Sequence, residues 1–88
     1  MKKTATELLM NALGWQGGTV HQVALATGLK VQTVLDLEGF KIEDVYQLEM
    51  YNTGKRWILD GGCEKTIPKG RKGYPLFWLG VLDGQKEK

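Results

Sequence analysis

The chain has very little cysteine and histidine, and it has no long apolar run. Cys63 is the only cysteine of the 88 residues and His21 is the only histidine. Neither an internal disulfide nor a zinc site of the usual kind can therefore form within the chain. A lone cysteine is typical of a reducing compartment, so we expect a cytoplasmic protein. The apolar segments are too short for a signal peptide or a membrane-spanning helix, so we expect no contact with a membrane.

The sequence motifs of common enzyme classes are also missing. The glycine-rich segment over residues 70–73, GRKG, lacks the lysine-then-hydroxyl ending that holds the phosphates of a nucleotide. The neighbouring acids Glu43 and Asp44 would point in different directions on a helix and do not form a pair suited to acid–base catalysis. We therefore expect no enzymatic activity, with no catalytic residue, no metal and no cofactor.

The net charge is only +2, but the charges are unevenly distributed. Residues 1–50 carry four basic and six acidic side chains, whereas residues 51–88 carry eight basic and four acidic ones. Hydrophobic residues make up 42% and charged residues 25% of the chain, a balance typical of a folded domain. We expect one domain over residues 1–88, with any polyanion bound by its second half.

Two capping boxes predict the first two helices. Thr4 precedes Glu7 by three residues, the spacing at which each side chain can bond the backbone N–H of the other. Thr19 and Gln22 repeat this spacing. Apolar residues follow each box at helical intervals, and a glycine ends each segment. A third helix is predicted over residues 31–38.

The second half of the chain reads differently. Residues 42–51 fit either a helix or a strand, and we favour a helix that ends in a turn at residues 52–54. Short apolar runs punctuated by glycine then indicate strands, over residues 56–60, 64–67 and 75–82. A basic, glycine-rich loop, Pro68 to Gly73, separates the last two.

These patterns together predict an α+β fold. A helical core of three or four helices, beginning with residues 4–39, is expected to precede a strand-rich wing over residues 55–83. The wing would be a small antiparallel β-hairpin or a three-stranded sheet. Trp57, Phe77 and Trp78 are expected in the core, although exposed rings there would favour binding of single-stranded nucleic acid. Cys63 is expected to be partly buried.

The segment over residues 20–39 resembles the helix-turn-helix family of DNA-binding proteins. Ala24 supplies the small residue that lets the second helix of the motif approach the first. Gly28, four residues later, supplies the turn, where a left-handed backbone disfavours side chains. Apolar residues occupy the remaining motif positions, namely Val23, Leu29, Val34 and Leu37. With strands expected after it, the chain looks like the winged-helix variant and like a small phage or prophage regulator.

This resemblance implies a sequence-specific transcriptional regulator that binds double-stranded DNA as a homodimer. In the family, the second helix of the motif enters the major groove and its N-terminal residues contact base edges. The residues carried to that role are Lys30, Gln32, Thr33 and Asp36. The expected contacts to the DNA backbone are Thr19, His21, Lys55, Arg56, Lys69, Arg71 and Lys72.

Some residues of the same helix favour a protein partner instead. Lys30 occupies the position where a serine or threonine cap is usual. Leu35 lies at a position that faces DNA in the family, and Asp36 and Glu38 would repel phosphate. The alternative function is therefore a small adaptor or inhibitor that binds another protein through the helix-turn-helix face.

Overall fold

Every regular element of the described chain is helical. The computed structural model describes residues 4–15, 17–62 and 64–87. Its α-helices are α1 (Ala5–Ala12), α2 (Val20–Thr27), α3 (Val31–Asp36), α4 (Val45–Leu59) and α5 (Tyr74–Glu87), with short 3₁₀ turns at Leu37–Gly39 and Glu64–Thr66. No β-strand occurs in these ranges. The predicted α+β fold, with a hairpin or three-stranded wing over residues 55–83, is therefore wrong.

The predicted starts of the first two helices are confirmed. The hydroxyl of Thr4 accepts a hydrogen bond from the backbone N–H of Glu7 at 3.2 Å. At α2 the capping box is complete, because Thr19 and Gln22 each bond the backbone N–H of the other. The third helix also begins where predicted, but its α-helical part ends at Asp36 and a 3₁₀ turn carries it to residue 39.

The segment over residues 42–51, which fitted either a helix or a strand, is helical from Val45 onward and belongs to α4. This helix begins at Val45, where the carboxylate of Asp44 accepts from the backbone N–H of Gln47 at 2.8 Å. The turn predicted at residues 52–54 is wrong, and so is the strand over 56–60, because the helix continues to Leu59. Thr53 and Gly54, which suggested a turn, lie in its middle. There, tertiary packing outweighs the weak local preference of these two residues.

Helix α5 replaces the long predicted strand. Its residues from Leu76 to Leu82 are all buried, because α1, α4 and the 3₁₀ turn at residues 37–39 pack around it. A helix enclosed on all sides has no polar face, so its sequence resembles a buried strand. Pro75 is tolerated at its second position, where helix N–H groups have no partner in the helix. The strand predicted over residues 64–67 is also wrong, since that segment holds a 3₁₀ turn.

Helices α4 and α5 run in the same direction. Gly73 contacts Met50 near the start of both helices, and Gly84 approaches Ile58 near their ends. Two side-chain bonds keep this register, from Tyr51 to Asp83 and from Lys55 to Glu87. The connection over residues 60–73 must therefore return along α4 to its beginning. The basic segment from Pro68 to Gly73 is part of this return and not the tip of a hairpin.

The aromatic residues predicted for the core are confirmed there. Trp57, Phe77 and Trp78 are all buried. The ring of Phe77 meets those of Trp78 and Trp57 edge-on, with centroids 5.1 and 5.5 Å apart. Such edge-to-face pairs are a favoured aromatic geometry. None of these three rings can stack on a base, so they offer no platform for single-stranded nucleic acid.

The contact between Tyr51 and Asp83 links α4 to α5. The hydroxyl of Tyr51 donates to the carboxylate of Asp83 at 2.6 Å. This hydrogen bond, together with partial burial, raises the pKa of Tyr51 to about 12 from 10.0. The neutral phenol is therefore the form that the folded protein favours.

We expect this contact to make the protein less stable above pH 10. Folding raises the pKa of the Tyr51 phenol. The hydrogen bond to Asp83 therefore contributes its full stabilisation below the unfolded pKa of 10.0, and this contribution is lost as the pH rises towards about 12. Denaturant titrations of the wild type and Tyr51→Phe between pH 8 and 12 would measure it, and the variant should lose less stability over this range. Equal losses in both proteins would contradict the expectation.

Candidate nucleic-acid interface

The start of α2 lies at the surface with its cap already formed. The N–H of Thr19 donates to the side chain of Gln22 at 2.9 Å, so this amide is not available to a phosphate. The amides of Val20 and His21 belong to the first turn, where the helix itself provides no acceptor. The side chains of Thr19 and His21 are both exposed. The predicted phosphate contact at this helix start would therefore use the amides of residues 20 and 21.

The turn between α2 and α3 has the predicted left-handed glycine. Gly28 has a φ of 78° and its N–H donates to the carbonyl of Ala24 at 2.9 Å. The buried hydroxyl of Thr27 donates to the carbonyl of Val23 and accepts from the N–H of Leu29. These bonds satisfy the polar groups of the turn, so its backbone angle is well defined.

A tyrosine at the start of α5 forms a hydrogen bond to this turn. The hydroxyl of Tyr74 donates to the backbone carbonyl of Thr27, the last residue of α2. Burial raises the pKa of Tyr74, so its hydroxyl keeps the proton that it donates. Tyr74 follows directly after the basic segment over residues 68–73. The end of that segment therefore lies within one tyrosine side chain of the turn between α2 and α3.

Helix α3 has one face in the core and one in solvent. Val34 and Leu37 are fully buried, and Val31 packs against the same core. On the outer face Gln32, Leu35 and Asp36 are exposed, Thr33 is half-buried, and the exposed Lys30 is the N-cap residue that precedes the helix. The structure thus brings the four predicted base-contacting residues to one short helix and leaves Lys30, Gln32 and Asp36 accessible.

Two side chains on this outer face bind each other. The amide nitrogen of Gln32 donates to the carboxylate of Asp36 at 3.0 Å, one helical turn away. The carbonyl oxygen of Gln32 and its second N–H remain able to pair with an adenine edge. Leu35 lies between them in sequence and is 58% exposed. The centre of this face is therefore apolar and acidic, with a single lysine at its edge.

The predicted basic residues of the loop lie beside the first half of α4. Lys69, Arg71 and Lys72 are all exposed. The ammonium of Lys72 lies 4.7 Å from the centre of the Tyr46 ring, which is within the range of a cation–π contact. A groove of ≈ 450 Å³ separates this loop from α4 and is lined by Glu49 and Thr53 among others.

Lys55 and Arg56 do not lie on a wing, contrary to their predicted setting. Both belong to the C-terminal half of α4, and Arg56 lies in its last turn. The ammonium of Lys55 forms a salt bridge with Glu87 at 2.9 Å, and this carboxylate would compete with a phosphate for the ammonium. Arg56 is exposed on the side of α4 that faces away from α5. The basic loop borders the first half of α4 instead, where Arg71 and Lys72 line a groove with Tyr46 and Glu49.

Sequence reasoning missed two tyrosines that position the candidate site. Tyr46 supports Lys72, and Tyr74 connects the loop to the turn after α2. Neither lies in a recognisable motif, because both act across long separations in sequence. Only the hydroxyl on a residue flanking the basic loop could have drawn attention to Tyr74.

Comparison of the chain with protein-family models, with curated proteins and with solved structures finds no match. A functional assignment must therefore be supported by the residues of this chain.

Two further searches cover the described residues. None of their helices combines the length and apolar character needed to cross a lipid bilayer. Residues 4–15, 17–62 and 64–87 also bring no three histidine, cysteine, aspartate or glutamate side chains together as a candidate metal site. Cys63, predicted to be partly buried, lies outside the described residues.

Proposed function

We propose that this chain is a cytoplasmic, sequence-specific DNA-binding transcriptional regulator that places α3 in the major groove. The observation that carries the proposal is the pair α2 and α3, joined at a left-handed Gly28, with the outer face of α3 open to solvent. An α-helix fits the width of the major groove of B-DNA. Helix-turn-helix proteins use the second helix of such a pair in this way.

Side chains on α3 would read the bases. Gln32 has the donor and acceptor that match adenine, and Lys30 at the start of the helix can reach a guanine or a phosphate. Thr33 contributes a hydroxyl from its half-buried position. Asp36 holds the Gln32 amide and can itself accept from the amino group of cytosine. Leu35 would contact the methyl group of thymine.

Basic residues beside the turn would bind the DNA backbone. Lys69, Arg71 and Lys72 lie on an exposed segment that ends at Tyr74, which is bonded to the end of α2. This contact connects the loop to the turn that precedes α3 and supports its role as a second anchor. The loop is a return segment between the parallel helices α4 and α5, and it would contact DNA without a β-wing. Phosphate contacts of this kind orient a protein without reading sequence.

One observation favours a different function, the binding of a protein partner through the same face. Leu35 is 58% exposed and is followed by the acids Asp36 and Glu38. Leu25, on the neighbouring helix α2, is 84% exposed. An apolar centre with acidic neighbours suits a basic, partly apolar protein surface. Such an adaptor would bind no DNA at any salt concentration.

Salt dependence separates the two functions. We expect the chain to bind duplex DNA with an affinity that falls as salt rises, with a log–log slope of about −3 to −4 if four cationic side chains release counterions. Replacing Lys69, Arg71 and Lys72 together by alanine should reduce that slope by about 3. Lys86→Ala, at an exposed site near the end of α5, is the matched control. Fluorescence anisotropy of labelled duplexes at several salt concentrations measures both values, and an absence of binding at low salt would refute the proposal.

Base reading by Gln32 is tested by comparing how much affinity a Gln32 variant loses for a preferred duplex and for unselected duplexes. After selection of a preferred duplex from a random pool, Gln32→Ala should weaken binding to that duplex by about 1–3 kcal/mol. Its binding to unselected duplexes should change little, because the backbone contacts remain. Equal weakening on every sequence would show that Gln32 does not read a base.

Leu35→Glu tests the alternative function, since it should abolish capture of a protein partner if the chain is an adaptor.

A further inference from the structure

The outer face of α4 is an exposed helical stripe with no partner among the described elements. Helix α5 packs on the opposite side, where Gly54 meets the backbone of Phe77. Val45, Asn52 and Leu59 occur at intervals of seven positions, or two helical turns, so these three side chains share one face. Exposed charges border the same stripe, namely Glu49 and Arg56.

This stripe is complementary to itself when two copies meet antiparallel. If the two-fold axis passes beside Asn52, Val45 of one copy faces Leu59 of the other, and Glu49 faces Arg56. Each contact occurs twice because the interface is isologous. A parallel pairing would instead place Glu49 against Glu49 and Arg56 against Arg56, which is repulsive. The order of the charges along α4 therefore selects the antiparallel arrangement.

The charges needed for this contact are available. The salt bridge recorded among the described residues joins Lys55 to Glu87, and neither Glu49 nor Arg56 takes part in it. A shallow groove of ≈ 500 Å³ runs along this side of α4, lined by Glu49, Asn52, Arg56 and Leu59 together with the Lys55–Glu87 pair.

We infer that a second copy of this chain binds the outer face of α4, antiparallel and with Asn52 at the two-fold axis. A polar residue at the centre of an otherwise apolar seam favours a single register at some cost in affinity. A pair of 15-residue helices buries less surface than a standard interface of about 1,600 Å². We therefore expect a dissociation constant on the order of 10–100 µM.

The decisive test uses two charge reversals and their mixture. In a Glu49→Arg homodimer both charge contacts become Arg–Arg, and in an Arg56→Glu homodimer both become Glu–Glu. We expect each variant alone to dimerise about tenfold more weakly than the wild type. An equimolar mixture should recover an affinity within about threefold of the wild type, because the heterodimer restores both attractive contacts. Sedimentation velocity over about 5–500 µM, without DNA, measures the wild type, the two variants and their mixture.

Glu7→Arg, an exposed charge reversal on α1, is the control and should leave the dissociation constant unchanged. A wild-type chain that stays monomeric at about 500 µM would overturn the inference. So would single variants that associate as well as the wild type, or a mixture as weak as its components. The inference does not depend on DNA binding, since a monomer can occupy one half-site and a dimer can form without DNA. Failure of one proposal therefore leaves the other standing.

Discussion

Gly54→Ala is expected to lower the free energy of unfolding by about 3 kcal/mol. A Cβ atom built at Gly54 would lie 1.8 Å from the carbonyl oxygen of Phe77 in α5. The obstacle is backbone, so no side-chain rotation can relieve it and α4 must move away from α5. That movement would loosen the packing of Trp57 and Trp78, which lie between the same helices. Chemical denaturation monitored by circular dichroism measures the loss.

Gly39→Ala is the matched control for this prediction. Gly39 also lies in a helical turn, but a Cβ built there meets no atom within 4 Å. Alanine should therefore change stability by no more than about 0.5 kcal/mol, or raise it slightly by restricting the unfolded chain. If the two variants were equally stable, α4 and α5 would not approach each other as closely as described.

Trp78→Ala is expected to cost about 3–5 kcal/mol, which would bring a domain of this size close to unfolding. Trp78 is 0% exposed and is the largest fully buried side chain. Its ring contacts Phe77, Trp57 and Tyr74, with centroids 5.1 to 6.2 Å apart. Removing it would leave a void that these rings can fill only in part. Thermal and denaturant unfolding should show a sharply lowered midpoint.

The same substitution at Trp15 provides the comparison. Trp15 lies after α1 and is 46% exposed, so its replacement by alanine should cost less than about 1 kcal/mol. Loss of one tryptophan from either position gives a similar fall in total indole absorbance, which controls for changes in the optical signal. A Trp78→Ala protein as stable as Trp15→Ala would contradict the placement of α5 in the core.

Helices α2 and α3 and the turn between them were predictable because their signals are local. The capping box of Thr19 and Gln22 and the left-handed Gly28 each act within a few residues. The buried positions Val23, Val34 and Leu37 follow from helical spacing. The lack of a side-chain cap at Lys30 was also visible in the sequence and is confirmed. Whether the outer face of α3 binds DNA or protein stays a prediction, since both use exposed side chains.

The second half misled sequence reasoning because its glycines have a tertiary role. Gly54 was predicted in a turn and Gly80 in a strand, yet each lies inside a helix at a point where the opposite backbone passes. A Cβ built at Gly80 would lie 2.0 Å from the carbonyl oxygen of Tyr51. Glycine lowers helix propensity by about 1 kcal/mol, but here it permits contact between α4 and α5 along their length. Local propensity cannot report a benefit that comes from a distant segment.

By itself the sequence determined the caps of α1 and α2, the turn at Gly28 and the burial of Val23, Val34 and Leu37, because each depends on neighbours along one helix. The tertiary structure alone decided that residues 74–87 form a helix and that α4 and α5 run parallel. It also decided that the basic loop returns to the turn after α2 through Tyr74. The physical reason is that an apolar run with no polar face satisfies its backbone equally well as helix or strand. Only the partners that enclose it distinguish the two.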